Sequence, residues 1–317
     1  MQLVDLLLAV LGASTLLFVV LLVGRWWRAP VRPRLEGIIL SAVANFFDAL
    51  GIGSFAPSTA YLKIRRLTPD EMIPSTMIVG YTIATVTEAF VYIISVVVDP
   101  VLLISCIVAS SLGAIVGVVL APRLPVQAIQ ATIGVGLLIA GTLYALSNLA
   151  LLPGGGAATT LPTDQLVLVA VFSFALGILT NLGIGSFAPT LIVLSLLGMD
   201  PLAAFPIMMG SAAFIFVASG TTIVRKRPID LGLVTGMAIG GAPAVLLAAY
   251  LIKSLPLYAL RWGVVLVVVY AAILMLRSAA RSRRDRAPAS PIATPAAAGL
   301  DAPMKSDPAS AFSEKEL

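Results

Sequence analysis

The chain has 317 residues, 59% of them hydrophobic and only 11% charged, with a net charge of +5 and no histidine; its mean hydropathy is +1.05. Soluble domains carry roughly 25% charged residues, so a water-soluble enzyme is excluded, and the missing imidazoles remove the commonest general base and a common metal ligand. The basic residues stand in short clusters between long apolar runs, which is how membrane topology is written rather than a nucleic-acid surface.

The first apolar run, Leu6 to Val23, is long enough to cross a hydrocarbon core of about 30 Å. No Lys or Arg precedes it and Arg25 and Arg28 follow, the reverse of a cleaved signal peptide. Residues 1–24 are therefore expected to form a retained N-terminal transmembrane helix, its N-terminus outside. Further apolar segments run over 35–62, 72–98, 100–121, 126–149, 165–198, 201–224, 229–252 and 256–276, with Pro69, Pro100, Pro125, Pro201, Pro228 and Pro256 near their boundaries. Proline starts helices readily because the first turn needs no N–H donor. From Arg277 the chain turns basic and then Pro/Ala/Ser-rich, so 277–317 is expected to be a disordered cytoplasmic tail.

The most informative feature is an internal repeat. Gly51-Ile-Gly-Ser-Phe-Ala-Pro57 recurs letter for letter as Gly183 to Pro189, 132 residues later, and the same offset aligns Pro69 with Pro201, Pro74 with Pro206 and Met77 with Met209. The core is thus expected to be two copies of one unit, repeat 1 over 35–149 and repeat 2 over 165–276.

Charge placement orients the copies. The clusters Arg25/Arg28/Arg32/Arg34, Lys63/Arg65/Arg66, Arg123, Arg225/Lys226/Arg227 and Arg277 to Arg286 all belong on the cytoplasmic side if Lys and Arg favour it. Segment 35–62 then starts and ends on one side. Interrupted by Gly51, Gly53 and Pro57, it reads as a re-entrant hairpin; a full crossing of 35–62 is the competing topology. Segment 165–198 becomes the matching hairpin from outside. One hairpin plus three crossings per copy is an odd number of crossings, so the copies are expected to be inverted. The fold class is an all-α polytopic membrane protein with an inverted repeat and one extra N-terminal helix.

Inverted repeats with broken helices at the midplane are a transporter architecture. Irregular backbone at that depth needs protein or a water-filled cavity around it. The N-terminus of a half-helix offers unpaired N–H donors and partial positive charge, a seat for an anion. Two such turns facing one another would make one pseudo-symmetric anion site.

The paired Gly-Ile-Gly-Ser-x-Ala-Pro loops, each followed by a Pro-x-x-x-x-Pro-x-x-Met helix, resemble the TauE/SafE family of sulfite exporters over about 35–276. The resemblance implies secondary transport of sulfite, an organosulfonate or another small anion across a bacterial or archaeal cytoplasmic membrane.

The candidate substrate-binding residues are Asn45, Gly51, Gly53 and Ser54 in the first copy and Asn181, Gly183, Gly185 and Ser186 in the second. Asn45 and Asn181 could donate an amide to an anion or cap orphan backbone groups. Asp48 and Glu88 are the proton-coupling candidates, since ionisable groups within the membrane are costly and functional by default. Their counterparts at the 132-residue offset are Thr180 and Gly220. The alternative for Asp48 is a structural bond to the amides of the turn, and for Glu88 a bond through Thr85 or Tyr92. Met77, Met208 and Met209 read as packing; Gly113, Gly117, Gly134, Gly136 and the Gly240–Gly241 pair read as close helix contacts. Trp26 and Trp27 read as interfacial anchors, Arg261 as snorkelling to the interface, and Cys106 as inert core. No cofactor, metal or nucleic acid is expected; the partners are the anion, the bilayer and, as one option, a second copy in a homodimer. An anion channel would share the same turns. An enzyme is disfavoured: no His, Cys or paired-carboxylate constellation supplies catalysis, and neither a GxxxxGK[ST] loop nor a dinucleotide fingerprint occurs.

Overall fold

The extra N-terminal helix, α1 (Gln2–Arg28), runs past the expected boundary at residue 24. Arg25 explains the extension, because its Nη1 donates to the carbonyls of Val224 at 2.6 Å and Arg227 at 2.9 Å and so holds the helix end against a neighbour. The computed structural model describes residues 2–50, 53–120, 156–180 and 186–252, with scattered helical positions between 131 and 149 and between 262 and 280. The expected crossings 126–149 and 256–276 lie largely outside the described residues. So do Gly51, Asn181, Gly183, Gly185, Arg261 and nearly all of the tail 277–317.

Segment 35–62 is two helices, α2 (Leu35–Ala49) and α3 (Phe55–Arg65). At 15 residues, α2 reaches about 22 Å, short of a hydrocarbon core. The break contains Gly53 at φ +86°, a left-handed conformation that L side chains resist. Pro57 falls in the first turn of α3, where its missing N–H leaves no bond unmade. A 3₁₀ turn (Asp70–Met72) leads into α4 (Ile73–Ser95), followed by α5 (Pro100–Leu120). Farther along the chain α6 (Thr163–Thr180) and α7 (Phe187–Leu196) flank the other break, followed by α8 (Pro201–Lys226) and α9 (Leu231–Ile252). Among the described residues no strand occurs. Among the described residues six helices, α1, α4, α5, α6, α8 and α9, are long and apolar enough to cross a membrane.

Hydrogen bonds tie each broken pair closed at one end. Arg65 at the end of α3 pairs with Glu36 at the start of α2 at 2.6 Å, and Arg34 Nη1 donates to the Leu67 carbonyl at 3.0 Å. The same Arg34 meets Asp230 at 3.1 Å, bringing the start of α9 to this end. The Asp230 amide in turn donates to Thr76 at 3.1 Å, near the start of α4. At the far end of α4 the Asp99 amide donates to the Thr159 carbonyl. There Ala158, preceding α6, bridges to Met199, which follows α7. With its 23 residues, α4 separates these two ends by about 34 Å.

The ends are chemically distinct. One gathers Arg25, Arg28, Arg34, Lys63, Arg65, Arg66, Arg225, Lys226 and Arg227. The other gathers Asp99, Asp164 and Asp200, of which Asp99 and Asp200 cap α5 and α8 by accepting from the amides of Val101 and Leu202.

The paired spans α4 and α8 form the centre, 72% and 83% buried, whereas α1 is 22% buried and peripheral. The principal partner of α2 is α9, and that of α6 is α5. Small residues allow both approaches. A Cβ on Gly113 or Gly177 would collide with the Phe174 or Ser110 carbonyl across the α5–α6 contact, and one on Gly240 with the Ile38 carbonyl across α2–α9. Met77, Met208 and Met209 are buried packing, as expected, and Cys106 is buried. Trp26 and Trp27 stack edge to face at 6.0 Å beside Arg25 and Arg28.

Candidate functional site

The break between α2 and α3 is organised by Asp48. Its Oδ1 accepts from the Ser54 amide and its Oδ2 from Ser54 Oγ, both at 2.8 Å. Ser54 opens α3, so its amide is one of the N–H groups that a helix start leaves without an intrahelical partner. The carboxylate thus sits where the notion of an anion seat at a half-helix N-terminus put a ligand. Asp48 thus makes the bond to the amide of the turn named above as its alternative, and both Ser54 donors are engaged by the protein itself. Both residues are buried.

One face of α4 closes over this break, because residues at i, i+4, i+7 and i+11 share a helix side. Tyr81 donates its hydroxyl to Ser58 on α3 at 2.6 Å. Tyr92 donates to the Ala49 carbonyl at the end of α2 at 2.7 Å, satisfying an otherwise orphan acceptor. Between the two tyrosines on that face stand Thr85 and Glu88, both 0% exposed. Neither Glu88 carboxylate oxygen has a hydrogen-bond partner among the described residues, and Thr85 Oγ1 has none either. The bond through Thr85 or Tyr92 therefore does not form: Tyr92 is committed to Ala49. Glu88 lies within electrostatic reach of Asp48.

Asn45 belongs to the same centre but turns its amide nitrogen inward. Its Nδ2 donates to the Ser41 carbonyl and to Ser41 Oγ, each at 2.9 Å, while Ser41 Oγ donates to the Met237 carbonyl of α9 at 2.7 Å. The atom left over is an acceptor, Asn45 Oδ1, buried and without a hydrogen-bond partner among the described residues. Gly241 of α9 comes close here: a Cβ on it would meet Ala84, Ser41 and Asn45.

The second break is chemically different. Thr180, at the place of Asp48, donates its hydroxyl to the Leu176 carbonyl at 2.9 Å within its own helix, so it offers the turn no carboxylate. Ser186 opens α7 and is buried, its carbonyl accepting from Thr190 Oγ1 at 2.8 Å. The place of Glu88 is taken by Gly220, where a Cβ would run into Phe18 of α1 and Thr82 of α4. Phe18 of α1 and Thr82 of α4 thus leave no room for a side chain at position 220.

The structure brings together Asn45, Asp48, Gly53, Ser54 and Glu88; Ser186 opens the other break, and Gly51, Asn181, Gly183 and Gly185 lie outside the described residues. Ser41, Ser58 and Tyr81 are the participants the sequence reading missed, and Tyr92, expected as a partner of Glu88, bonds Ala49 instead. The spacing of Tyr81, Thr85, Glu88 and Tyr92 was the available signal, since it puts these four polar groups on one face of the helix. Among the described residues no cluster of His, Cys, Asp or Glu could hold a metal ion, and no Lys or Arg lies in the described spans between their charged ends. No family model, no curated protein and no solved structure matches this chain.

Proposed function

We propose that this protein is a secondary transporter of a small oxyanion, such as sulfite or an organosulfonate, that moves its cargo together with a proton by alternating access around the two breaks. One observation carries the reading: the amide and hydroxyl of Ser54 at the start of α3 already hold a two-oxygen anionic group, the Asp48 carboxylate. A seat that fits a carboxylate fits the oxygens of a sulfite or sulfonate. Protonation of Asp48 removes one acceptor and weakens the other bond, freeing the seat for a diffusible anion. Glu88, buried without a hydrogen-bond partner among the described residues, is a second place for a proton, with Tyr81 and Tyr92 also facing the break. The break at Ser186 has no carboxylate on the preceding helix at the position of Asp48, which suits direct contact with cargo.

Inverted repeats are part of the same proposal. They are supported by the packing, in which exchange of α2 with α6, α4 with α8 and α5 with α9 leaves the principal pairs α2–α9, α5–α6 and α4–α8 unchanged. They are supported too by the ion pair and hydrogen bonds that close the α2–α3 pair at the basic end and the α6–α7 pair at the acidic one. With Lys and Arg favouring the cytoplasm, the N-terminus lies outside, and the setting is a bacterial or archaeal cytoplasmic membrane. Kinship with the TauE/SafE exporters remains a proposal resting on the duplicated loops.

The test is flux into liposomes containing the purified protein, with sulfite, sulfonates, thiosulfate and short carboxylates, with and without an imposed pH gradient. Saturable uptake of one anion that responds to the gradient is expected. Flux proportional to concentration and indifferent to pH would make the protein a channel, and no flux of any anion would overturn the assignment.

A further inference from the structure

We infer that the cleft between α1 and α8 at the basic end binds the phosphate of an anionic phospholipid. The cleft measures about 540 Å³, within the range of small-molecule sites. Its lining changes along the helix axis: Val20, Leu21 and Gly24 form an apolar upper part, and Arg28, Arg225 and Lys226 lie around its base. Such a gradient matches a lipid, with acyl chain along the apolar part and headgroup at the charges.

Three observations give the site its occupant. The first is uncompensated charge. Among the described residues no carboxylate pairs with Arg28, Arg225, Lys226 or Arg227, whereas Arg34 and Arg65 on neighbouring elements each have one. Arg25 is fixed across the cleft by the carbonyls of Val224 and Arg227, which orient the guanidinium without neutralising it. The second is depth. Trp26 and Trp27 stand in α1 between the lining residues Arg25 and Arg28, Trp26 donating to the Val31 carbonyl at 3.0 Å and Trp27 strongly exposed, and interfacial tryptophans sit at headgroup level. The third is space. A Cβ on Gly24 would meet nothing within 4 Å, so this glycine leaves an opening rather than a helix contact. A basic pocket between helices at headgroup level fits a phosphate diester carrying acyl chains better than a soluble phosphate, which gains nothing from the apolar part.

The experiment measures binding to the delipidated full-length protein in detergent, using phosphatidylglycerol, phosphatidylcholine, and glycerol 3-phosphate or inorganic phosphate at matched concentration. Saturable binding of phosphatidylglycerol alone is expected, weakened about fivefold for each charge removed in Arg28→Gln and Lys226→Gln. Gly24→Leu keeps every charge but fills the opening. It is expected to abolish saturable binding while the protein elutes and melts as the parent does. Equal binding of phosphatidylcholine, equal binding of the soluble phosphates, or an unchanged affinity in Gly24→Leu would each overturn the inference. Because none of these residues belongs to the broken-helix site, the outcome is independent of the transport assay.

Discussion

Asp48 offers the most informative perturbation because its alanine and amide variants remove different things. Asp48→Ala deletes both acceptors, leaving the buried Ser54 amide and hydroxyl without their partner at a helix start. Hydrogen bonds to a charged group contribute about 1.5–3 kcal/mol each, and bonds within membranes fall at the low end, so a loss of about 3 kcal/mol is expected. Asp48→Asn keeps an oxygen for the amide and can present its Nδ2 to Ser54 Oγ as a donor. Only the charge assistance is lost, about 1 kcal/mol. Denaturant titration of the detergent-solubilised protein should therefore rank parent, Asp48→Asn and Asp48→Ala in falling stability. In liposomes Asp48→Asn should still bind the anion while losing the response to a pH gradient. An Asp48→Ala variant as stable as the parent, or Asp48→Asn transport with undiminished pH dependence, would refute this role for the carboxylate.

Other outcomes follow from the same geometry. Glu88→Gln removes a buried carboxyl that makes no hydrogen bond among the described residues, so thermal melting should stay level or rise while transport changes; a clear drop in melting temperature would mean that Glu88 holds the fold together. Gly53→Ala should cost about 1–2 kcal/mol from backbone conformation alone, since φ is +86° and the new Cβ would touch nothing. Gly53→Asn should cost less, a ranking that chemical unfolding can read. Gly177→Leu, which drives a side chain into the Ser110 carbonyl, should cost upwards of about 1–3 kcal/mol by overpacking and is checked by yield of monodisperse protein. Cys106 is fully buried, so single cysteines can be read against a silent background. Arg66→Cys and Arg227→Cys should react with an impermeant thiol reagent from one side of the membrane, and Thr159→Cys from the other. Opposite sidedness of Arg66→Cys and Arg227→Cys would dismantle the hairpin arrangement.

The sequence by itself determined the helical membrane class, the positions of most helices and the two breaks, because those depend on local quantities. Apolar run length sets whether a helix can span, and Gly and Pro set where it cannot continue. The duplicated Gly-Ile-Gly-Ser-Phe-Ala-Pro motif announced both breaks, and α4, α5, α8 and α9 fall within a few residues of their expected segments. What α1 does beyond residue 24 was not local: its last turn is held by carbonyls some 200 residues away. The partners of Asp48, Asn45 and Glu88 were likewise decided only by tertiary structure. A carboxylate three residues before a turn can face the turn, a neighbouring helix or a cavity, and composition does not choose among them. Packing of α4 across the break and of α9 against α2 made the choice, committing Asp48 to Ser54, Tyr92 to Ala49 and Asn45 to Ser41, and leaving Glu88 enclosed without a bond among the described residues. The physical reason is that pairing in a dry interior is set by which groups lie within about 3 Å, and that distance is a property of the assembled helices rather than of any one of them.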